Sequence, residues 1–269
     1  MYKSCFNVAV NKRYLSNTGT IVYLINLKIM IARFTDYQEL SACAADKIVK
    51  LVQQKPTAVL CLAGGDTPAL TYDLIAEKVQ KESVDFSGVT FIGLDEWVGI
   101  EKGMPGSCYN FLQQKVFGPL SIQEENIYFF DAMSNNLEDE CNRINLAIHN
   151  KGGIDLALVG IGMNGHIGFN EPGINTVLNA HVVELDEVTT TVGQKYFTSS
   201  TALAKGITLG MAQIMAAREL LLIASGEKKA AIIRKTIKEG ISTAVPASLI
   251  TAHPNGLILL DAAAAAGLD

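Results

Sequence analysis

The chain has no C-x-x-C pair, no Cys/His spacing of a zinc site and no block of clustered lysine and arginine. Its five cysteines, Cys5, Cys43, Cys61, Cys108 and Cys141, are scattered and odd in number. Buried thiols in a reducing compartment are therefore expected, rather than a disulfide framework or a metal site. The net charge is -5. A sequence-independent grip on nucleic acid needs clustered cations, so that class of partner is excluded, whereas a small anion held by a few local donors is not. No apolar run reaches the roughly 18 residues of a membrane span, so no membrane partner is expected. There is no Pro- or Ser-rich linker and no repeat of fixed period, which leaves one domain as the simplest organisation for 269 residues.

Residues 1–29 carry Lys3, Lys12, Arg13 and Lys28 with no acid, and the apolar piece TIVYLINL is too short and poorly placed for a signal peptide. Met30 stands just before cleanly periodic sequence. Residues 1–29 are therefore expected to be an extension or the product of a start assigned too early, with the single domain spanning 30–269.

Thr35 followed by Gln38 reads as a capping box, and Tyr37, Leu40, Ala44, Ile48 and Leu51 recur at helical spacing, which predicts a helix to about Gln54. The apolar run AVLCL (58–62) precedes a glycine turn, after which Thr67-Pro68 supplies an N-cap with proline in the first helical position. The alternation continues with VTFIGL (89–94) and a helix near 108–117, then IYFF (127–130) and a helix near 136–149. DLALV (155–159) and HVVEL (181–185) follow, with a helix through LGMAQIMAA. ELLLIA (219–224), a helix over about 228–238 and a last strand GLILL complete the pattern. Short apolar strands alternating with amphipathic helices predict an α/β protein of three layers, α/β/α, with a mostly parallel, Rossmann-like sheet. Ligands then bind at the carboxyl ends of the strands.

Four strand ends carry candidate chemistry. In LAGGDTPALTY (62–72), Gly64 and Gly65 let a ligand approach the backbone, and the N–H groups opening the next helix favour an anion such as phosphate. A P-loop is excluded, because Gly-Lys-Ser/Thr is missing. An ordinary strand-to-helix turn explains the stretch equally well. In GLDEWVG (93–99), Asp95 and Glu96 follow a strand that should be wholly buried, and as neighbours in extended backbone they face opposite sides. One of them could enter a site as a general base; a solvated loop pair is the plainer alternative. In ASGEKKAAI (224–232), Lys228 and Lys229 open a helix against its macrodipole, a cost that an anionic ligand would relieve and that solvation would also cover.

The fourth end, GIGMNGHIGFNEPG (160–173), spaces Gly160, Gly162 and Gly165 as G-x-G-x-x-G, with Glu184 near the position of a ribose-binding acid. The dinucleotide reading nevertheless fails. Gly168 and Pro172-Gly173 cannot support the crossover helix that the third glycine must open. What remains is a tight loop carrying Asn164, His166, Asn170 and Glu171. A histidine with a carboxylate close by to fix its tautomer is what acid/base catalysis needs.

LDEWVG, GIGMNGHIGFNEPG, GITLGM, SGEKKAAI and VPASLITAHPN, in order between about residues 34 and 260, resemble the glucosamine-6-phosphate deaminase/isomerase family. LDEW, MPGSCYNFLQQ (104–114) and KGITLG resemble its galactosamine-6-phosphate isomerase branch in particular. The resemblance implies a cytoplasmic enzyme without metal or other cofactor, acting on a small sugar phosphate, with homo-oligomerisation left open. It implies that Asp95 moves a proton from C2 to C1 of an amino-sugar 6-phosphate. His166 would open the sugar ring, with Glu171 orienting it and Asn164 beside them. Gly64, Gly65, Asp66, Thr67 and Lys229 would hold the phosphate, with Glu96 and Lys195 also on the substrate.

Three features depart from the family pattern. Asn164 stands where many members have aspartate, so the carboxylate relay would rest on Glu171 alone. The glycine loop reads AGGDTP where ATGGTP is usual, which singles out Asp66. Lys195 replaces a lid arginine, and His181 and Val183 stand where some members bind an N-acetylated activator, so no such activation is expected. A 6-phosphogluconolactonase, related in fold, has a different histidine loop, D-G-H-T-A-S-L-F-P. A sugar-phosphate sensor would need a helix-turn-helix for which the first 34 residues are too short. The pattern is equally compatible with glucosamine and galactosamine 6-phosphates, which differ in one hydroxyl orientation at C4.

Overall fold

Successive residues of a strand point to opposite sides of its sheet, and in this protein both sides are apolar. Val59 and Cys61 belong to one buried cluster, with Ala157, Val159, Leu220 and Leu222. Leu60 and Leu62 belong to a second, with Leu156, Leu158, Leu221 and Ile223. A sheet with two apolar faces must be covered twice, which forces three layers.

The computed structural model describes residues 30–268 together with the backbone of one short antiparallel pair, β1 (Tyr14–Leu15) and β2 (Ile21–Val22). The extension expected over residues 1–29 otherwise lies outside the described residues. The order continues as β3 (Met30–Phe34), α1 (Tyr37–Gln54), β4 (Val59–Leu62), α2 (Asp66–Glu82), β5 (Thr90–Gly93), β6 (Asp95–Trp97) and α3 (Cys108–Leu112). Next come β7 (Ile127–Tyr128), α4 (Leu137–Asn150), β8 (Leu156–Val159), β9 (His181–Glu184), α5 (Glu187–Gly193) and β10 (Lys205–Thr208). The chain closes with α6 (Met211–Met215), β11 (Glu219–Ala224), α7 (Ala230–Lys238) and β12 (Gly256–Asp261).

The main sheet has seven strands in the order β3-β12-β11-β8-β4-β5-β7, every neighbouring pair parallel. α1 and α2 cover one face, and α4, α6 and α7 the other. From β4 the chain winds outward through β5 to β7. It then returns to β8 on the far side of β4 and winds the opposite way, through β11 to β12. The winding direction reverses between two adjacent strands, so the loops after β4 and β8 part and leave a crevice at the carboxyl edge. The predicted three-layer, mostly parallel architecture is the one observed.

Several local expectations are corrected. HVVEL is β9, but it lies outside the main sheet, in a small antiparallel sheet ordered β6-β10-β9. Its first three residues are only half-buried and Glu184 is exposed, unlike the fully buried strands β4, β5 and β8 of the main sheet. The strands β3 and β10 were not anticipated. Helix α1 is capped by Asp36, which accepts the Glu39 N–H at 2.9 Å, while Glu39 reaches back to the Thr35 N–H at 3.1 Å. The Thr35/Gln38 box is thus displaced by one residue, because aspartate caps at least as well as threonine. Helix α2 starts at Asp66 behind Gly65 rather than at Pro68 behind Thr67.

Candidate active site

The loops after β4, β5, β8 and β11 open on the same edge of the sheet. Asp95 opens β6 immediately after β5, and its register partner on β10 is Thr208. Thr208 accepts the Phe169 N–H at 3.2 Å, which ties the histidine loop to this strand pair. Gly168, at φ +57°, completes the fit, since a β-carbon there would stand 2.7 Å from Thr208 Oγ1 and 3.5 Å from Asp95 Oδ2. The histidine loop thus folds directly over Asp95. The Asp95 side chain is buried, and that burial raises its carboxyl to about 6, opposed by a hydrogen bond from the Cys108 thiol and by the charge of His166. A carboxyl with such a value is mostly ionised at neutral pH yet close enough to it to accept and return a proton, as a general base must.

Within the histidine loop, Glu171 Oε2 lies 3.3 Å from His166 Nδ1 and accepts Asn164 Nδ2 at 2.8 Å. Asn164 Oδ1 in turn accepts the His166 N–H at 3.2 Å. Thr189 Oγ1, from α5, stands 2.9 Å from the same Nδ1. Burial raises the Glu171 carboxyl, but its contacts with His166, Thr189 and Asn164 outweigh that and hold it below the ordinary range. With Nδ1 engaged twice, Nε2 is the nitrogen left for proton transfer. It lies against Gly162, where any side chain would collide with it.

The glycine loop and Lys229 form the other end of the crevice. The first turn of α2 has no side-chain cap, so its N–H groups are open to an anion. Gly65 sits at φ +105°, and a β-carbon there would meet Tyr196 Oη at 3.2 Å. Lys229 Nζ donates to the Ile161 carbonyl at 2.6 Å, which joins the turn after β11 to the histidine loop. Burial, and secondly the nearby Lys195, lower its ammonium to about 8. Lys228 is exposed. Lys195 Nζ and Asp66 Oδ2 pair at 2.6 Å across the glycine loop.

Residues 36–259 match the family described as glucosamine-6-phosphate isomerases/6-phosphogluconolactonase. The glucosamine-6-phosphate deaminase of Clostridium tetani (strain Massachusetts / E88) is 41% identical over 240 residues, covering 89% of this chain and 99% of that protein. The protein of the same name from Thermoanaerobacter pseudethanolicus is 38% identical over 240 residues, covering 89% and 94%. This chain belongs to that family. The solved structure of a monomeric glucosamine-6-phosphate deaminase superposes with a TM-score of 0.86 at 34% identity, over 88% of this chain and 99% of that one. A 6-phosphogluconolactonase of Trypanosoma brucei, at a TM-score of 0.70 and 21% identity over 90% and 99%, shares the fold.

Against this family background, the structure brings together Asp95, Asn164, His166 and Glu171 on one side of the crevice and Gly64, Gly65, Asp66, Thr67, Lys195 and Lys229 on the other. Glu96 is the exception. It is fully buried and points away from the crevice, accepting the N–H groups of Trp97 and Cys108 through Oε1, at 3.0 and 2.9 Å, and of Tyr109 through Oε2 at 2.9 Å. It therefore anchors the start of α3 from inside the fold. Burial raises its carboxyl despite those donors. Sequence reasoning missed Thr189, Cys108 and Tyr196, whose roles depend on partners remote in the chain. Among the described residues, no cluster of three or more His, Cys, Asp or Glu could hold a metal ion, and no helix is long and apolar enough to cross a membrane.

Proposed function

We propose that this protein is an amino-sugar-6-phosphate deaminase/isomerase, working in the cytoplasm on glucosamine 6-phosphate, galactosamine 6-phosphate or both. The observation that carries this reading is the convergence, on one crevice, of a buried carboxylate, an oriented histidine and an uncapped helix N-terminus with a half-buried lysine. The first turn of α2 and Lys229 hold the 6-phosphate, which sets the sugar lengthwise along the crevice. His166, held at Nδ1 by Glu171 and Thr189, uses Nε2 to move a proton at the ring oxygen, and the ring opens. Asp95 takes the proton from C2 and returns it to C1. The electron pair of the C2–H bond passes through the enolamine, leaving an imine at C2. Water adds to that carbon, and the C2–N bond breaks to give the ketose 6-phosphate and ammonia. The local chemistry and the named deaminase relatives at about 40% identity support the same reaction. The lactonases found among structural neighbours are supported by the shared fold alone.

The test is ammonia release from the purified protein with each amino-sugar phosphate in parallel, with Asp95→Asn as control. Release from one or both that collapses in the variant supports the reaction and names the substrate. Binding of both without ammonia would sink the enzymatic reading in favour of a sensor.

A further inference from the structure

Asp66 is an unexpected residue in a loop built to hold an anion. Its carboxylate is largely exposed, lies in the first turn of α2 and accepts Lys195 Nζ at 2.6 Å. The ammonium it holds also lies 4.8 Å from the centre of the Tyr196 ring. The Tyr196 hydroxyl stands over Gly65, and the backbone that carries Lys195 and Tyr196 packs against Gly106. A β-carbon at Gly106 would come within 2.6 Å of the Phe197 ring and 2.8 Å of the Tyr196 carbonyl, so these segments pack without a gap. The Lys195 side chain, by contrast, is half exposed, and its ion pair with Asp66 is open to solvent. Lys229 lies close enough to feel both charges, since Lys195 and Asp66 act on it in opposite senses. The crevice end thus holds two cations, with one carboxylate already among them.

We propose that Asp66 is a built-in counter-anion of the phosphate subsite. It holds Lys195 across the glycine loop until the substrate's 6-phosphate displaces it and takes Lys195 for itself. This inference rests on the assignment of that end of the crevice to phosphate. Its consequence is a lower affinity for phosphate than the two cations alone would give. Any phosphate, free or carried by a sugar, must break the Asp66–Lys195 pair before it gains Lys195, so part of that new contact is offset. A sugar phosphate still gains contacts along the rest of the crevice, so Asp66 leaves the site dependent on those contacts for tight binding.

The test is calorimetric titration of the full chain with inorganic phosphate, for the parent, Asp66→Asn, Lys195→Ala and the double variant. Asp66→Asn alone is expected to tighten phosphate binding about two- to fivefold, the range open to an exposed ion pair. In the Lys195→Ala background the same substitution is expected to change little, because the ion pair is already gone. Unchanged or weaker binding in Asp66→Asn would overturn the proposal, and so would equal tightening with and without Lys195, which would reduce Asp66 to a diffuse repulsive charge. Absence of phosphate binding in all four proteins would overturn the subsite assignment together with the inference. Ammonia release by the parent, measured alongside, tests the reaction separately.

Discussion

Glu171 Oε2 lies 3.3 Å from His166 Nδ1 and also accepts Asn164 Nδ2 at 2.8 Å, so a single carboxylate oxygen serves both neighbours. Replacing Glu171 by Gln sets an amide near the Asn164 donor and weakens the hold on the imidazole. Turnover is expected to fall roughly 10- to 100-fold, part of what a general acid/base group contributes. The Glu171 carboxyl is held below its ordinary range in the fold, so its contribution to stability is complete above the unfolded value of 4.5 and is lost as pH falls through the lower native value. Urea unfolding of parent and Glu171→Gln should therefore converge in acid. A stability difference independent of pH would contradict this account.

Asp95 behaves in the opposite way. Its native carboxyl is raised to about 6 from 3.8, so the folded protein binds that proton more tightly than the unfolded chain does. The ionised form costs native stability, increasingly so as pH rises between these values and fully above them. A shift of about 2 units corresponds to at most about 3 kcal/mol. Asp95→Asn is thus expected to be inactive and more stable than the parent at neutral pH. In the parent, kcat/KM should climb through about pH 6 as the base ionises. A flat profile across that range, or a destabilised variant, would count against Asp95 as the base.

The contrast between Asp95 and Glu96 also shows how much of this protein was legible in its sequence. The main strands were readable because each is a short apolar run, and the chemistry at their ends stood out against that background. That two adjacent acids must face opposite ways followed from extended geometry, but which of them entered the crevice did not. Glu96 is claimed by N–H groups of Cys108 and Tyr109, more than ten residues downstream, and no local pattern announces that bond. Thr189 was invisible for the same reason, since it stands 23 residues from His166 in the chain. HVVEL was placed in the wrong sheet because its partner, β10, sits within a stretch whose glycine weakens any strand signal.

Lys229 gives a binding prediction with a defined pH limb. Burial lowers its ammonium to about 8, so below that value it carries a charge that costs native stability, and the cost is relieved as pH rises through about 8 toward 10.5. Phosphate needs the charged form. Affinity for inorganic phosphate, followed by calorimetry, should weaken as pH rises past about 8. Lys229→Met should lack this limb and bind on the order of tenfold or more weakly throughout, the scale of a hydrogen bond to a charged group. If the variant retained the limb, another group would have to be its source.

Gly162 provides a test of geometry without any change of charge. Its N–H donates to the His166 carbonyl at 3.0 Å, which closes the turn, and the space where a side chain would stand is filled by the His166 ring around Nε2. Its backbone is not in the left-handed region, so alanine is tolerated conformationally. The collision must be relieved by the ring, which is the movable partner. Gly162→Ala is therefore expected to swing Nε2 off its line to the substrate and reduce turnover by about 100-fold or more, comparable to loss of the acid/base group. Binding of inorganic phosphate should stay near the parent value, because the ring yields and the backbone does not, so the Ile161 carbonyl that holds Lys229 and the α2 N-terminus keep their places. Assaying ammonia release and phosphate affinity on the same preparation separates the two ends of the site. Loss of both together would mean that the turn itself had collapsed, and full activity would mean that Nε2 is not the nitrogen that moves the proton.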